Sequence, residues 1–350
     1  MLNVTFVATL AIGLFALLSW GVRTLPAERW QMLAAVPVAK SIDGSWRGVN
    51  LTFYGFFSAT ATVFGFAMIL VLLASVGMPV ALAIALALLV LLVCVPASRL
   101  IAGIVERKRN TFTIAGAAFV ATILLPLAIV LLQPLAAKFL HHEFAVLPIL
   151  AAGTIAYALA ESIGRLACLS FGCCYGMPLR DARPALARIF QKHNLVIHGS
   201  TKKAAYASGL AGEALVPVQA ITSAVFAASG VAGLALFLAG QFRLAALVPL
   251  LASWGWRACS EWLRADHRGG SRISAYQVMA IVSVLYLGTF VMLLPTPSVT
   301  APDLSAAFVQ VFSAPVILLL QMFWGALFFY YGRSRVTGST LSFHVIAERV

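Results

Sequence analysis

Charge is what this sequence has least of. Only 10% of its 350 residues are charged, and just 11 are Asp or Glu, where soluble domains carry roughly 25% charged residues. That scarcity excludes an ordinary water-soluble fold. No stretch outside the apolar runs interleaves basic and aromatic residues as a nucleic-acid-binding domain would, so no nucleic-acid partner is expected. Internal repeats and low-complexity tracts are missing, and so are the paired Gly/Pro-broken spans of an inverted-repeat transporter. The first apolar run, Val4–Trp20, has neither a basic leader nor a small-x-small cleavage site, so it is expected to be a retained helix rather than a signal peptide. Cysteine is sparse too. Cys168, Cys173 and Cys174 have the spacing C-x4-C-C, but no second pair exists and His141, His142, His193 and His198 supply no obvious partner set. The spacing therefore does not predict a metal site, and no cofactor is expected. A disulfide, a substrate-contacting thiol and tight small-residue packing all stay open for these three. Cys94 and Cys259 lie in apolar runs and read as small buried residues.

Apolar residues are abundant, at 62%. Nine runs are candidate spans: Val4–Trp20, Leu51–Ser75, Val80–Ile104, Phe112–Leu132, Phe144–Cys168, Pro217–Gly240, Leu244–Leu263, Ala275–Leu294 and Phe308–Tyr331. About 20 apolar residues cross a bilayer core of ~30 Å as a helix, and only helices or closed barrels satisfy the backbone there. The expected fold is all-α, a polytopic transmembrane helical bundle of about eight to nine spans. A small extramembrane head is expected at about 175–216, with an extra N-terminal span and loop at 1–45 and an extra C-terminal span at 295–350. Pro96 predicts a kink or early end in the third run. The polar tail from Gly332 is expected to lack regular structure, and the loop 21–50 contributes interfacial Trp30 and Trp46.

The net charge of +13 suits basic loops lying against anionic lipid, so the bilayer is an expected partner. If nine spans alternate, loops 21–50, 99–111, 171–216, 264–274 and the tail share one side, with 20 of the 24 lysines and arginines. A positive-inside argument puts that side in the cytoplasm.

A few charges fall inside or at the ends of spans, where each costs roughly 2.5–3.5 kcal/mol on insertion scales unless paired. Glu161 and Arg165 are four residues apart on one run, and Arg257 and Glu261 four apart on another. That spacing permits pairing within each helix, and two such helices face to face would make a polar pocket. Arg264 continues the second face, with Asp266, Arg268 and Arg272 beyond it. Arginine forks match phosphate oxygens, so the pattern points to an anionic lipid headgroup or, as a plain structural alternative, to salt bridges between helices. Tyr54 reads as an interfacial anchor, with Gly55 allowing close helix packing.

The segment "GRLACLSFGCCYG", Gly164 to Gly176, resembles the Gly-Arg-x-Gly-Asn-Phe signature of the prolipoprotein diacylglyceryl transferase family, and more closely its cysteine-bearing relatives that read "GRxGCFxxGCCYG". Gly164, Arg165, Gly172 and Gly176 match in register. "FYG" at Phe53–Gly55 is similar to the family's early Tyr-Gly, "VPVQ" at Val216–Gln219 to its His-Pro-x-Gln, and Arg257, Glu261 and Arg264 to its late Arg-x3-Glu-x2-Arg, with Gln277 downstream. The likeness covers roughly residues 46–294. It implies a multi-pass enzyme of the bacterial cytoplasmic membrane that moves a diacylglyceryl group from phosphatidylglycerol to the thiol of a lipobox cysteine, with its head on the outer face. That opposes the charge count, but charge bias weighs less for a long basic head, and the family orientation is the one expected. In that role Arg165, Arg257, Glu261 and Tyr54 would be catalytic, and Arg264, Gly164, Gln219, Cys168 and Cys173 would contact substrate. The chain departs from the pattern at three points. "TFTIAGAAF" has Thr113–Gly116 where the family has His-Gly-Gly, Cys168 replaces the signature Asn, and Cys173 replaces an acidic residue. A noncatalytic protein that binds anionic phospholipid is the alternative.

Overall fold

A computed structural model describes the chain except for residues 107–113, 141–143, 267–272 and 297–300. Arg107, Lys108, Arg109, Thr113, His141, His142, Arg268 and Arg272 therefore lie outside the described residues.

The long apolar runs are helices. In chain order they are α1 (Leu2–Thr24), then after a hairpin α2 (Phe53–Ser75), α3 (Val80–Glu106), α4 (Ile114–Leu140) and α5 (Val146–Phe171). The head carries two short helices, α6 (Pro184–Phe190) and α7 (Lys203–Ser208), before α8 (Val218–Leu238), α9 (Phe242–Ser260), α10 (Ala275–Leu293), α11 (Leu304–Val311) and α12 (Ala314–Gly332). Eight of them are long and apolar enough to cross a membrane, which makes this a multi-pass helical bundle. α9 is not among the eight, but it packs in the same bundle against α5, α8 and α10.

At the centre stands α5, packed on α2, α8 and α9. Its buried face carries Ala151, Ala152, Ala156, Ala158, Gly164 and Ala167, small side chains that let neighbouring backbones approach where no hydrophobic drive exists between helices. α1 and α12 lie at the rim with most of their surfaces outward. α3 continues through Pro96 to Glu106, which rules out the early end expected there. The residues after Pro96 are still apolar, and in lipid a helix that stopped there would leave backbone groups with nothing to bond.

Two stretches read as irregular are strands. The hairpin β1 (Met32–Lys40) and β2 (Trp46–Thr52) fills the loop after α1, and β5 (Arg333–Leu341) forms from the polar tail. They make one antiparallel sheet in the order β1-β2-β5, with Trp46 opposite Leu341 and Val49 opposite Gly338. The side chain of Asn50 on β2 bonds Thr337 and Ser339 of β5. The tail is therefore ordered by pairing with a segment almost 290 residues away in sequence, a contact that local composition does not signal. Between α6 and α8 the head adds the two-residue strands β3 (Leu195–Val196) and β4 (Ala214–Leu215), which pair with each other.

Sheet, head and the end of α9 gather at one end of the bundle. The Gln31 side chain donates to the Thr201 carbonyl and accepts from the Thr201 hydroxyl, and His198 N–H bonds the Pro26 carbonyl. Gly176 pairs with Arg264, and Arg99 sits over the ring of Tyr330. The described parts of the basic loops thus share a side, as alternation of the spans predicts.

Candidate functional site

The site begins with the last two turns of α5. Glu161 and Arg165 are both buried and form the expected one-turn ion pair. Arg257 of α9 reaches the same carboxylate, with Nη2 2.7 Å from Glu161 Oε2. One carboxylate oxygen therefore serves two guanidinium groups from facing helices. Arg257 and Glu261 do not form the pair their spacing allowed. α9 ends at Ser260, and Glu261 opens a 3-10 turn that swings it off the helix face.

Arg257 is enclosed. Its Nε donates to Tyr157 Oη at 2.8 Å, and its guanidinium lies 5.8 Å from the ring centre of Tyr157 and 5.7 Å from those of Phe226 and Trp254. Three aromatic faces around a desolvated cation stabilise it through their ring quadrupoles. Sequence reasoning missed these three residues. Tyr157 is one turn before Glu161 and Trp254 nearly one before Arg257, so helical spacing was the available signal for two of them. Phe226 comes from α8 and had none.

A cavity of about 330 Å³ runs up to this cluster. Its walls are mostly apolar, from α2, α3, α4 and α5 with residues of α9, α10 and α12, including Phe66, Leu86, Leu91 and Leu125, and Tyr157, Glu161 and Gly164 line it where it meets the cluster. Gly164 therefore stands in the cavity wall, where an added Cβ would meet only ordinary contacts, the nearest at 3.8 Å.

Beyond Arg165 the helix closes on a left-handed Gly172 (φ +69°), whose N–H and that of Cys173 both turn back to the Cys168 carbonyl, at 2.8 and 3.1 Å. Cys168 Sγ lies 3.9 Å from Arg165 Nη1. Gln219, on the first turn of α8, donates to the Cys173 carbonyl at 3.0 Å. Its Oε1 is buried with no partner among the described residues, as is Arg165 Nε. Tyr54, on the first turn of α2, packs edge-on against Phe171 with ring centres 5.5 Å apart, beside the cysteine loop rather than in the cavity wall.

After Cys174 the chain runs extended between two neighbours. Met177 N–H bonds the Leu263 carbonyl and Ala265 N–H the Tyr175 carbonyl, at 2.9 and 3.2 Å, while Val216 N–H bonds the Met177 carbonyl at 2.9 Å. Gly176 is required there, since a Cβ would come within 2.2 Å of the Val216 carbonyl oxygen. This pairing brings the Arg264 segment to the cysteine loop. Asp266 grips Arg264 through Nε and Nη2, at 2.8 and 3.2 Å. Glu261 accepts from Ser274 Oγ at 3.1 Å and lies 4.0 Å from Arg264. The structure thus gathers Arg165, Arg257 and Gly164 around Glu161, and Cys168, Cys173 and Gln219 one turn further on. Arg264 and Glu261 form a neighbouring polar group of their own.

No family model, curated protein or solved structure matches this chain, so the chemistry of the site rests on its geometry and on the motifs already described.

Proposed function

We propose that this protein is a membrane-embedded transferase of the bacterial cytoplasmic membrane that moves a diacylglyceryl group from phosphatidylglycerol to a thiol, on a lipobox peptide or a related acceptor. The observation that carries this reading is the apolar cavity lined in part by Glu161, whose buried carboxylate is bonded to Arg165 and Arg257. Such a cavity suits an acyl chain, and its end suits a phosphate. In the reaction the thiol sulfur attacks the glyceryl carbon, the carbon–oxygen bond to phosphate breaks, and glycerol phosphate departs with the electron pair. The proton lost by the sulfur has an acceptor in the departing phosphate. Arg165 and Arg257 would stabilise the charge growing on that phosphate, where low dielectric strengthens each charged hydrogen bond. Glu161, already bonded to both arginines, acts as their counter-ion and not as a base. Gln219 and the Arg264–Asp266 pair would shape the mouth towards the head.

One observation favours the noncatalytic alternative. Arg165 and Arg257 share Glu161, and Arg264 is gripped by Asp266, so a phosphate must compete with carboxylates already in place. The two readings separate in one assay, with purified protein in lipid nanodiscs, labelled phosphatidylglycerol and a lipobox peptide. Transfer of label that Arg165→Ala abolishes supports the transferase. Retained lipid without transfer, lost in Arg165→Ala, supports the binding protein. Neither transfer nor retention removes both.

A further inference from the structure

The sulfur atoms of Cys168, Cys173 and Cys174 all lie within 4.8 Å of one another, and none is in a disulfide. Cys168 and Cys173 are buried and Cys174 is half-buried. In sequence the trio lacked a second ligand pair, but the fold supplies the missing proximity by turning the helix end back on itself. Gly172 takes the left-handed conformation, Cys173 N–H returns to the Cys168 carbonyl, and Cys174 itself has φ +56°. Cys174 is the only non-glycine with positive φ among the described residues. If small size were all that mattered, glycine would fill that position without strain. A thiol, not a glycine, occupies this left-handed position.

We propose that Cys168, Cys173 and Cys174 form a three-thiolate site for a soft metal ion of the zinc, cadmium or copper(I) class. Thiolates select such ions by softness. Metal–sulfur bonds of about 2.3 Å in a tetrahedral arrangement set the sulfurs about 3.8 Å apart, so loading needs a contraction of about 1 Å at most from the spacing here. Three thiolates around a divalent ion leave a net negative charge. Arg165, with Nη1 3.9 Å from Cys168 Sγ, and Arg264, paired through Gly176 to the same loop, stand next to it. Three ligands leave the fourth position open, the arrangement of a reactive rather than a closed structural site.

Resting on the transferase reading, that open position would take the acceptor thiol. A thiol bound to such an ion is deprotonated, so its proton passes to water before attack, the departing phosphate takes up a proton from water afterwards, and no general base is needed. The bound thiolate sulfur would then attack the glyceryl carbon as the carbon–oxygen bond to phosphate breaks beside Arg165. The thioether product is a weaker, neutral ligand and dissociates.

Cadmium titration of the reduced, metal-free protein tests the site, read by thiolate-to-metal charge-transfer absorbance. We expect one ion bound per chain, with a rise in Tm of the unmutated protein. Cys168→Ser, Cys173→Ser and Cys174→Ser should each weaken binding at least tenfold while keeping the metal-free melting transition, and the double variant Cys94→Ala/Cys259→Ala should bind as the parent does. No saturable cadmium uptake by the parent, or uptake unchanged in all three serine variants, overturns the proposal. Unlike the site, its thiol-activating role depends on catalysis. A protein that takes up cadmium but moves no diacylglyceryl group keeps the site and loses the transferase reading.

Discussion

Glu161 is the residue on which the cluster depends, because two arginines meet one of its oxygens. Removing one member of a buried ion pair leaves uncompensated charge, at a cost of about 3–5 kcal/mol. Glu161→Gln removes the partner of two cations at once, so a large fall in Tm is expected. Anionic phospholipid should recover more of that loss in the variant than it adds to the parent, since the freed forks can take a phosphate. Equal lipid-induced stabilisation of the two proteins in a thermal-shift assay would show that the arginines do not meet the headgroup. Arg257→Lys tests the other half. Arg257 bonds Tyr157 through Nε and Glu161 through Nη2 at once, and a single ammonium on a flexible stem does not reproduce that fork or its stacking. Arg257→Lys should therefore lose lipid retention nearly as fully as Arg257→Ala. The pair within α5 was legible in sequence because four residues make one turn. The real partner of Arg257 was not, because it lies 96 residues away and depends on which helix faces meet.

Helices were readable as elements because each needs only its own run of apolar residues, and the close approach expected at Gly55 is present. A Cβ on Gly55 would come within 2.1 Å of Gly332 Cα, so α2 and α12 cross almost backbone to backbone. Thr52 secures the crossing. Its hydroxyl donates to the Gly332 carbonyl at 3.1 Å and accepts from Gly55 N–H at 3.3 Å. Gly55→Ala should push α12 away and unpair β5 from β2, making the tail after Gly332 sensitive to protease. Gly164→Ala is the contrasting case. Its Cβ finds room, so the fold should survive, and any loss of lipid retention would come from filling the cavity wall. Protease resistance in Gly55→Ala equal to that of the parent would refute the crossing as drawn. The sheet itself was hidden in sequence because its three strands come from segments at both ends of the chain, and β5 is too polar to announce a buried face.

At the scale of the whole molecule, one lysine joins the head to the bundle. Lys202 lies in the basic head segment 171–216, yet it is fully buried. Its ammonium donates to the carbonyls of Leu25, Pro26 and Ala27 at 2.8, 2.8 and 2.9 Å. The Leu25 carbonyl follows directly on the last turn of α1, where acceptors lack intrahelical partners and the helix dipole favours a cation. Periodicity gives no hint of this, because the contact joins residues about 176 apart. Burial pushes the Lys202 pKa down to about 8 from 10.5, with Glu28 opposing the shift. Between those two values the unfolded chain keeps a proton that the folded head has released. Stability then rises with pH over that window, and below it the burial penalty of this group is constant with pH. Chemical denaturation of the head, followed by hydrogen exchange at residues 195–215 from pH 7 to 10, should show that rise, and Lys202→Met should abolish it. Methionine also leaves three carbonyls without a donor, so the variant's head should loosen at every pH. A parent whose head instead weakens steadily above pH 8 would mean that the three carbonyl bonds outweigh burial and that Lys202 works as a fixed cation, clamping the head to α1 only while protonated.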